Sequence, residues 1–175
     1  MEESLPFDFV RRHLFLFLLV LPWPAIAAEP SRDSLFHIER NKNANIVQYD
    51  AQLGPDGRLY AREPVIAYWI RYANEGETKE LSWIQRKFAY GFNVKLDKEN
   101  NRATIDMAAD IGRSLLIKRS GEDYRAIGKV DGVECYIDRI FIQANGSGIS
   151  TRVEYIELFG TAVSDQKEHY ERFSP

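Results

Sequence analysis

Residues 64–72 read PVIAYWIRY. Val65, Ile66, Tyr68, Trp69, Ile70 and Tyr72 are β-branched or aromatic, which suits a pleated, extended backbone better than a helix. Side chains alternate along a strand, so Val65, Ala67, Trp69 and Arg71 fall on one face and Ile66, Tyr68, Ile70 and Tyr72 on the other. Both faces are largely apolar, and the strand is therefore expected at the centre of a sheet, covered on both sides.

Upstream, Leu35–Arg40 and Ile46–Ala51 are two short β-rich runs. Asn41-Lys42-Asn43 joins them as a hairpin, since asparagine accepts left-handed turn angles. Downstream, Leu81, Ile84, Gln85 and Phe88 share a face at helical spacing. The spacing predicts one helix over Thr78–Tyr90, capped by Thr78, closed by Gly91 and packed on the sheet through Leu81, Ile84 and Phe88. Strand patterns resume at 92–96, 103–107, 114–118, 124–130, 133–143 and 152–159. Among the turns between them, Asp131-Gly132 is a strong hairpin signal. Residues 164–175 are polar and read as a peripheral tail. The fold expected is mainly β, an antiparallel barrel or curled sandwich of about eight strands with one packed α-helix.

The N-terminal stretch has a different character. Residues 14–21, LFLFLLVL, follow Arg11 and Arg12 and stop at Pro22-Trp23-Pro24. Ala25-Ile26-Ala27 then places small residues where a signal peptidase reads them. Residues 1–27 are expected to form a signal helix and residues 28–175 a single β-rich domain. The run is too short for a permanent membrane span, so the mature protein is expected to be periplasmic or secreted.

Composition excludes several function classes. The 175 residues carry 23 Lys+Arg against 26 Asp+Glu, a net charge of −3. Nucleic-acid binding by counterion release needs a basic excess, so no nucleic acid is expected as partner. The lone Cys135 rules out a disulfide framework and a cysteine-based zinc site. Its strand face holds Val133, Ile137 and Phe141, so it reads as a small buried hydrophobe rather than a thiolate paired with His37. Histidine spacing matches no metal motif. There is no nucleophile elbow, phosphate loop or dinucleotide fingerprint, so neither metal nor cofactor is expected. Asp106, Asp110, Glu134 and Asp138 read as exposed strand charges.

A few polar groups sit where apolar ones are expected. Arg71 ends an apolar strand on the face of Trp69. Gln85 lies on the apolar face of the predicted helix, next to Arg86. Glu157 shares a face with Val153, Tyr155 and Phe159 and needs a cation such as Arg71 or Arg40. At least two of Arg40, Arg71, Gln85 and Glu157 are expected within hydrogen-bond range of each other. Arg40, Arg71, Gln85, Arg86 and Glu157 are thus the candidate ligand-binding residues.

Four segments, LFHIERNKN (35–43), AYWIRY (67–72), LSWIQRKFAYG (81–91) and YIELFG (155–160), resemble the domain of unknown function 4833 (DUF4833), found in exported bacterial proteins. The likeness runs over roughly residues 34–163. It implies an exported single-domain protein and brings with it neither an activity nor catalytic residues. Two readings follow. The first is a non-catalytic module that binds a small molecule or an envelope protein. The second is a cell-envelope hydrolase or transferase built on Arg40, Gln85, Arg86 and Glu157.

Overall fold

The computed structural model describes residues 30–108, 112–146 and 151–174. The signal helix expected over residues 1–27 lies outside them. Eleven strands alternate with little else: β1 (Ser31–Arg40), β2 (Asn43–Leu53), β3 (Val65–Arg71), β4 (Glu77–Glu80), β5 (Phe92–Asp97), β6 (Arg102–Met107), β7 (Leu115–Ser120), β8 (Asp123–Val130), β9 (Val133–Asn145), β10 (Arg152–Ala162) and β11 (Glu168–Phe173). A 3-10 turn, Tyr72–Asn74, follows β3, and the helix α1 (Trp83–Phe88) separates β4 from β5.

The strands form two antiparallel meanders. β1 to β4 pair in chain order, as do β5 to β11. The meanders join where β1 runs parallel to β9, with His37 opposite Arg139 and Ile38 opposite Ile140. β9 has thirteen residues and serves three neighbours. Its start pairs with β8 through Val133–Tyr136, its later half with β1, and β10 follows it along the opposite edge.

The result is one curled sheet that stops short of closing, an open half-barrel. Its concave side is packed with Phe36, Ile38, Tyr49, Ile105, Leu115, Ile137, Ile140 and Leu158, all almost fully buried. Phe36 and Tyr49 stack with their ring centres 4.6 Å apart. Cys135 is fully buried here and burial pushes its thiol up. His37 turns instead to Glu39, at 3.2 Å.

The local expectations held best. β3 coincides with the strand read at 64–72, but it is neither central nor covered on both sides: it lies next to the edge strand β4, and only Val65 of its seven residues is buried. Asp131 and Gly132 both take positive φ, 49° and 78°, as a tight hairpin between β8 and β9 requires. The Asn41-Lys42 hairpin is also present, although none of its residues is left-handed. Asn43 Oδ1 accepts the Asn45 N–H at 3.1 Å, and Asn41 Oδ1 accepts the Ala144 N–H of β9 at 3.2 Å.

Four expectations need correction. The sheet has eleven strands, not about eight, because β4 and β11 are short and polar and give little apolar alternation. The sheet is not wholly antiparallel, since β1 and β9 run parallel. It is neither a closed barrel nor a sandwich. The helix is also much shorter than Thr78–Tyr90 and is not packed on the sheet. Residues 77–80 form β4, after a turn through Glu75 and Gly76 at φ 55° and 79°. Ser82, not Thr78, caps α1. Its side chain accepts the Gln85 N–H while Gln85 Oε1 accepts the Ser82 N–H, a reciprocal capping box. Leu81 is buried just ahead of the cap, whereas Ile84 and Phe88 are 61% and 66% exposed. Gly91 ends the excursion. A Cβ there would lie 1.7 Å from the Arg86 carbonyl oxygen, so only glycine lets the chain turn back so close to the helix.

Candidate functional site

Because α1 lifts the chain out of the sheet, β4 and β5 do not pair, and they become the two edges of the half-barrel. Between these edges lies a cleft of about 640 Å³. That volume is within the usual range for ligand sites. Its walls come from the start of β3, from β4, from the β1 residue Arg32, and from the chain entering β5. Ile66, Phe92 and Val94 supply apolar surface and Tyr68 its ring, with the buried Val65, Leu81 and Tyr90 behind them.

A buried polar row lies beneath one wall. Gln48, Asp50 and Gln52 alternate along β2 with Val47, Tyr49 and Ala51, and all three are under 10% exposed. Each has partners. Gln48 Nε2 donates to Ser34 Oγ at 2.8 Å and to Asp50 Oδ1 at 3.0 Å. Tyr68 donates its hydroxyl to Asp50 Oδ2 at 2.6 Å. Gln52 Nε2 reaches Glu63 at 3.4 Å. Burial, and then the hydrogen bond to Asp50, push the Tyr68 hydroxyl up to about 12. It is therefore a neutral donor at pH 7 and not a base.

Charge at the rim is uneven. Arg32, Arg62, Lys79 and Arg86 face the cleft, with Glu63 and Glu80 as the carboxylates. Arg86 is held by the Leu81 carbonyl and by Glu80, each at 3.1 Å. Among the described residues, Arg32, Arg62 and Lys79 form no ion pair with a carboxylate. Arg32 instead lies over the Tyr68 ring, 5.8 Å from its centre.

The five residues singled out from the sequence are dispersed. Arg86 alone lines the cleft. Gln85 and Arg40 stand behind it on either side of an aromatic pair. Trp69 donates from Nε1 to Gln85 Oε1 at 3.2 Å, packs edge-on against Tyr90 at 5.2 Å, and Arg40 donates to the Tyr90 hydroxyl. Tyr90 is also fixed by Tyr49, whose hydroxyl donates to the Tyr90 carbonyl at 2.7 Å. Arg71 pairs with Glu77 at 3.1 Å, across the β3–β4 hairpin. Glu157 belongs to the second meander. It accepts from the Tyr170 hydroxyl at 2.8 Å and sits 3.6 Å from Arg172, on a face where Arg172 and Arg139 cover the Tyr155 and Phe159 rings. Among the described residues, no hydrogen bond joins any two of Arg40, Arg71, Gln85 and Glu157.

Sequence reading missed Arg32, Arg62, Lys79, Tyr68 and the row under Tyr68. The row had a signal, since Gln48, Asp50 and Gln52 recur at period two. Polar residues at that period ordinarily face water; here neighbouring β1 and β3 side chains cover them. Among the described residues, no three His, Cys, Asp or Glu side chains gather as metal ligands. No described helix is long and apolar enough to cross a membrane.

No curated protein and no solved structure matches the chain. A family model does, over residues 36–172, which takes in β3, β4 and β5 but not the cleft residue Arg32. The chain accordingly belongs to the family described as a domain of unknown function, DUF4833.

Proposed function

We propose that the domain is an exported, non-catalytic binding module whose seam cleft takes a negatively charged ligand. One observation carries this reading. Three cations on one cleft, Arg32, Arg62 and Lys79, have no carboxylate partner, whereas both carboxylates of that cleft are engaged. The Tyr68 ring and the apolar side chains of Ile66, Phe92 and Val94 add contact area, and the neutral Tyr68 hydroxyl adds polarity. The hydrolase or transferase reading has less support. It needs Glu157 near Gln85 and Arg86, and Glu157 instead belongs to a surface network of β10 and β11.

Calorimetric titration with inorganic pyrophosphate tests the cleft. Binding should weaken with added salt, and Arg62→Glu with Lys79→Glu should abolish it. Equal binding by the charge-reversed protein would place the ligand elsewhere. Export is tested by N-terminal sequencing of the protein from its host. A mature N-terminus at Ala28 or Glu29 is expected, and a chain that still begins before Leu14 would overturn it.

A further inference from the structure

The two walls of the cleft are the free backbone edges of a sheet. On β3, the Pro64 carbonyl accepts the Gln52 N–H at 2.9 Å, so this position faces β2. Successive residues of an antiparallel strand turn their N–H and C=O groups to opposite sides. Val65 and Ala67 therefore direct theirs away from β2. β4 pairs with β3 from Tyr68 opposite Glu80, and since Tyr68 faces β2 the bonds flanking that pair fall at Ala67 and Trp69, so Val65 alone lies beyond the reach of β4. On β5, the Gly91 carbonyl accepts the Ala108 N–H at 2.7 Å, so by the same alternation Phe92 and Val94 turn away from β6. Val65, Ala67, Phe92 and Val94 all line the cleft.

Unpaired strand edges are normally covered or blunted, because they are templates for another strand. Here two of them flank one cavity where, among the described residues, consecutive strands fail to pair. Side-chain chemistry narrows the character of an added strand. Apolar groups at alternate positions would meet Ile66, Phe92 and Val94, and acidic groups between them would meet Arg32, Arg62 and Lys79.

We infer that the seam receives an extended acidic peptide segment of a partner protein, which adds as a strand to the free edges of β3 and β5. This rests on the anion-binding reading above and names the ligand class for the same cleft. Main-chain hydrogen bonds supply the affinity, and the rim cations select the acidic sequence.

The probe is a fluorescein-labelled octapeptide of alternating Glu and Val, titrated against the purified protein. A copy N-methylated at every second amide keeps the side chains but cannot pair as a strand. The parent should bind, and the methylated copy should bind at least about tenfold more weakly. Hydrogen exchange should slow at the Val65, Phe92 and Val94 amides. Val94→Pro removes an N–H that is turned away from β6, so it should weaken the peptide more than it weakens pyrophosphate. Equal binding of the methylated copy, unchanged exchange at those three amides, or no binding at millimolar peptide would each overturn strand addition. If pyrophosphate still binds in those cases, the anion site stands and only the peptide inference falls. If neither probe binds, both fall.

Discussion

Strands from the two meanders approach each other at two places, and the outcomes are opposite. At the β1–β9 junction they pair. Ile38 and Ile140 are opposite and fully buried, Arg139 bonds Glu39 at 2.8 Å, and Asn41 caps the Ala144 N–H. At the seam they stay apart. Val65 lies beyond the reach of β4, Phe92 and Val94 turn their backbone groups away from β6, and arginines and a lysine surround them. Two conditions separate these cases. Isoleucines buried on one face reward closing the junction, whereas at the seam α1 takes up the chain that could have formed a β4–β5 hairpin. The rim cations there also repel one another, and a mobile or foreign strand with acidic groups would relieve that repulsion.

The comparison can be broken most sharply at the junction. Ile140→Ala should cost about 2–5 kcal/mol, as deletion of a fully buried side chain does. Urea unfolding measures it, and a loss under about 1 kcal/mol would mean the junction does not hold the meanders together. An ion pair inside the second meander gives an intermediate case. Arg113 grips both oxygens of Glu171 at 2.8 and 2.9 Å, and the Asp131 N–H adds a third bond at 2.7 Å. Arg113→Ala should cost about 1–3 kcal/mol at pH 7. The hydrogen bond from Arg113 is the first reason Glu171 lies below its ordinary 4.5. A depressed carboxylate stabilises the fold above its unfolded value and loses that contribution as pH falls through the folded one. The gap between the wild type and Arg113→Ala should therefore shrink as the solution is acidified below pH 4.5, and a constant gap would contradict the assignment.

Smaller effects belong to the seam side. Ser82→Ala removes the cap of α1 and should cost about 1 kcal/mol. Calorimetric melting would show it, and a neutral result would mean the helix adds nothing to the fold. The smallest change is expected for Phe88→Ala. The ring is 66% exposed, with its contacts limited to Trp83 and Lys87. A shift beyond about 0.5 kcal/mol would show that the α1 ring packs on the sheet after all.

Much of the local structure was legible in the residues. PVIAYWIRY gave β3 through its branched and aromatic side chains, and Asp131-Gly132 gave a hairpin through its left-handed turn. The true helix start was legible too, in the Ser82-Trp83-Ile84-Gln85 capping pattern, but the apolar period beginning at Leu81 drew the boundary upstream. β4 offered only Glu77-Thr78-Lys79-Glu80, every residue exposed, with no apolar face to betray a strand. β11 hid in a polar tail. His169, Glu171 and Phe173 do alternate inward, but two of the three are polar. Of the candidate residues, Arg86 lines the cleft, while Arg32, Arg62 and Lys79 resemble ordinary surface cations until three elements are brought side by side.

Alternation, turn angles and capping bonds act between residues a few positions apart. For that reason the residues alone were enough to specify most strands, their hairpins and the all-β character. The parallel β1–β9 contact joins residues about a hundred positions apart, Ile38 and Ile140 among them. Nothing local records which distant edge a strand will meet, because the gain comes only once both apolar faces are buried together. The same holds for the row Gln48, Asp50 and Gln52, polar in sequence yet buried once β1 and β3 flank β2. It holds again for the seam, whose openness depends on the curl of the whole sheet and on the detour taken by one six-residue helix.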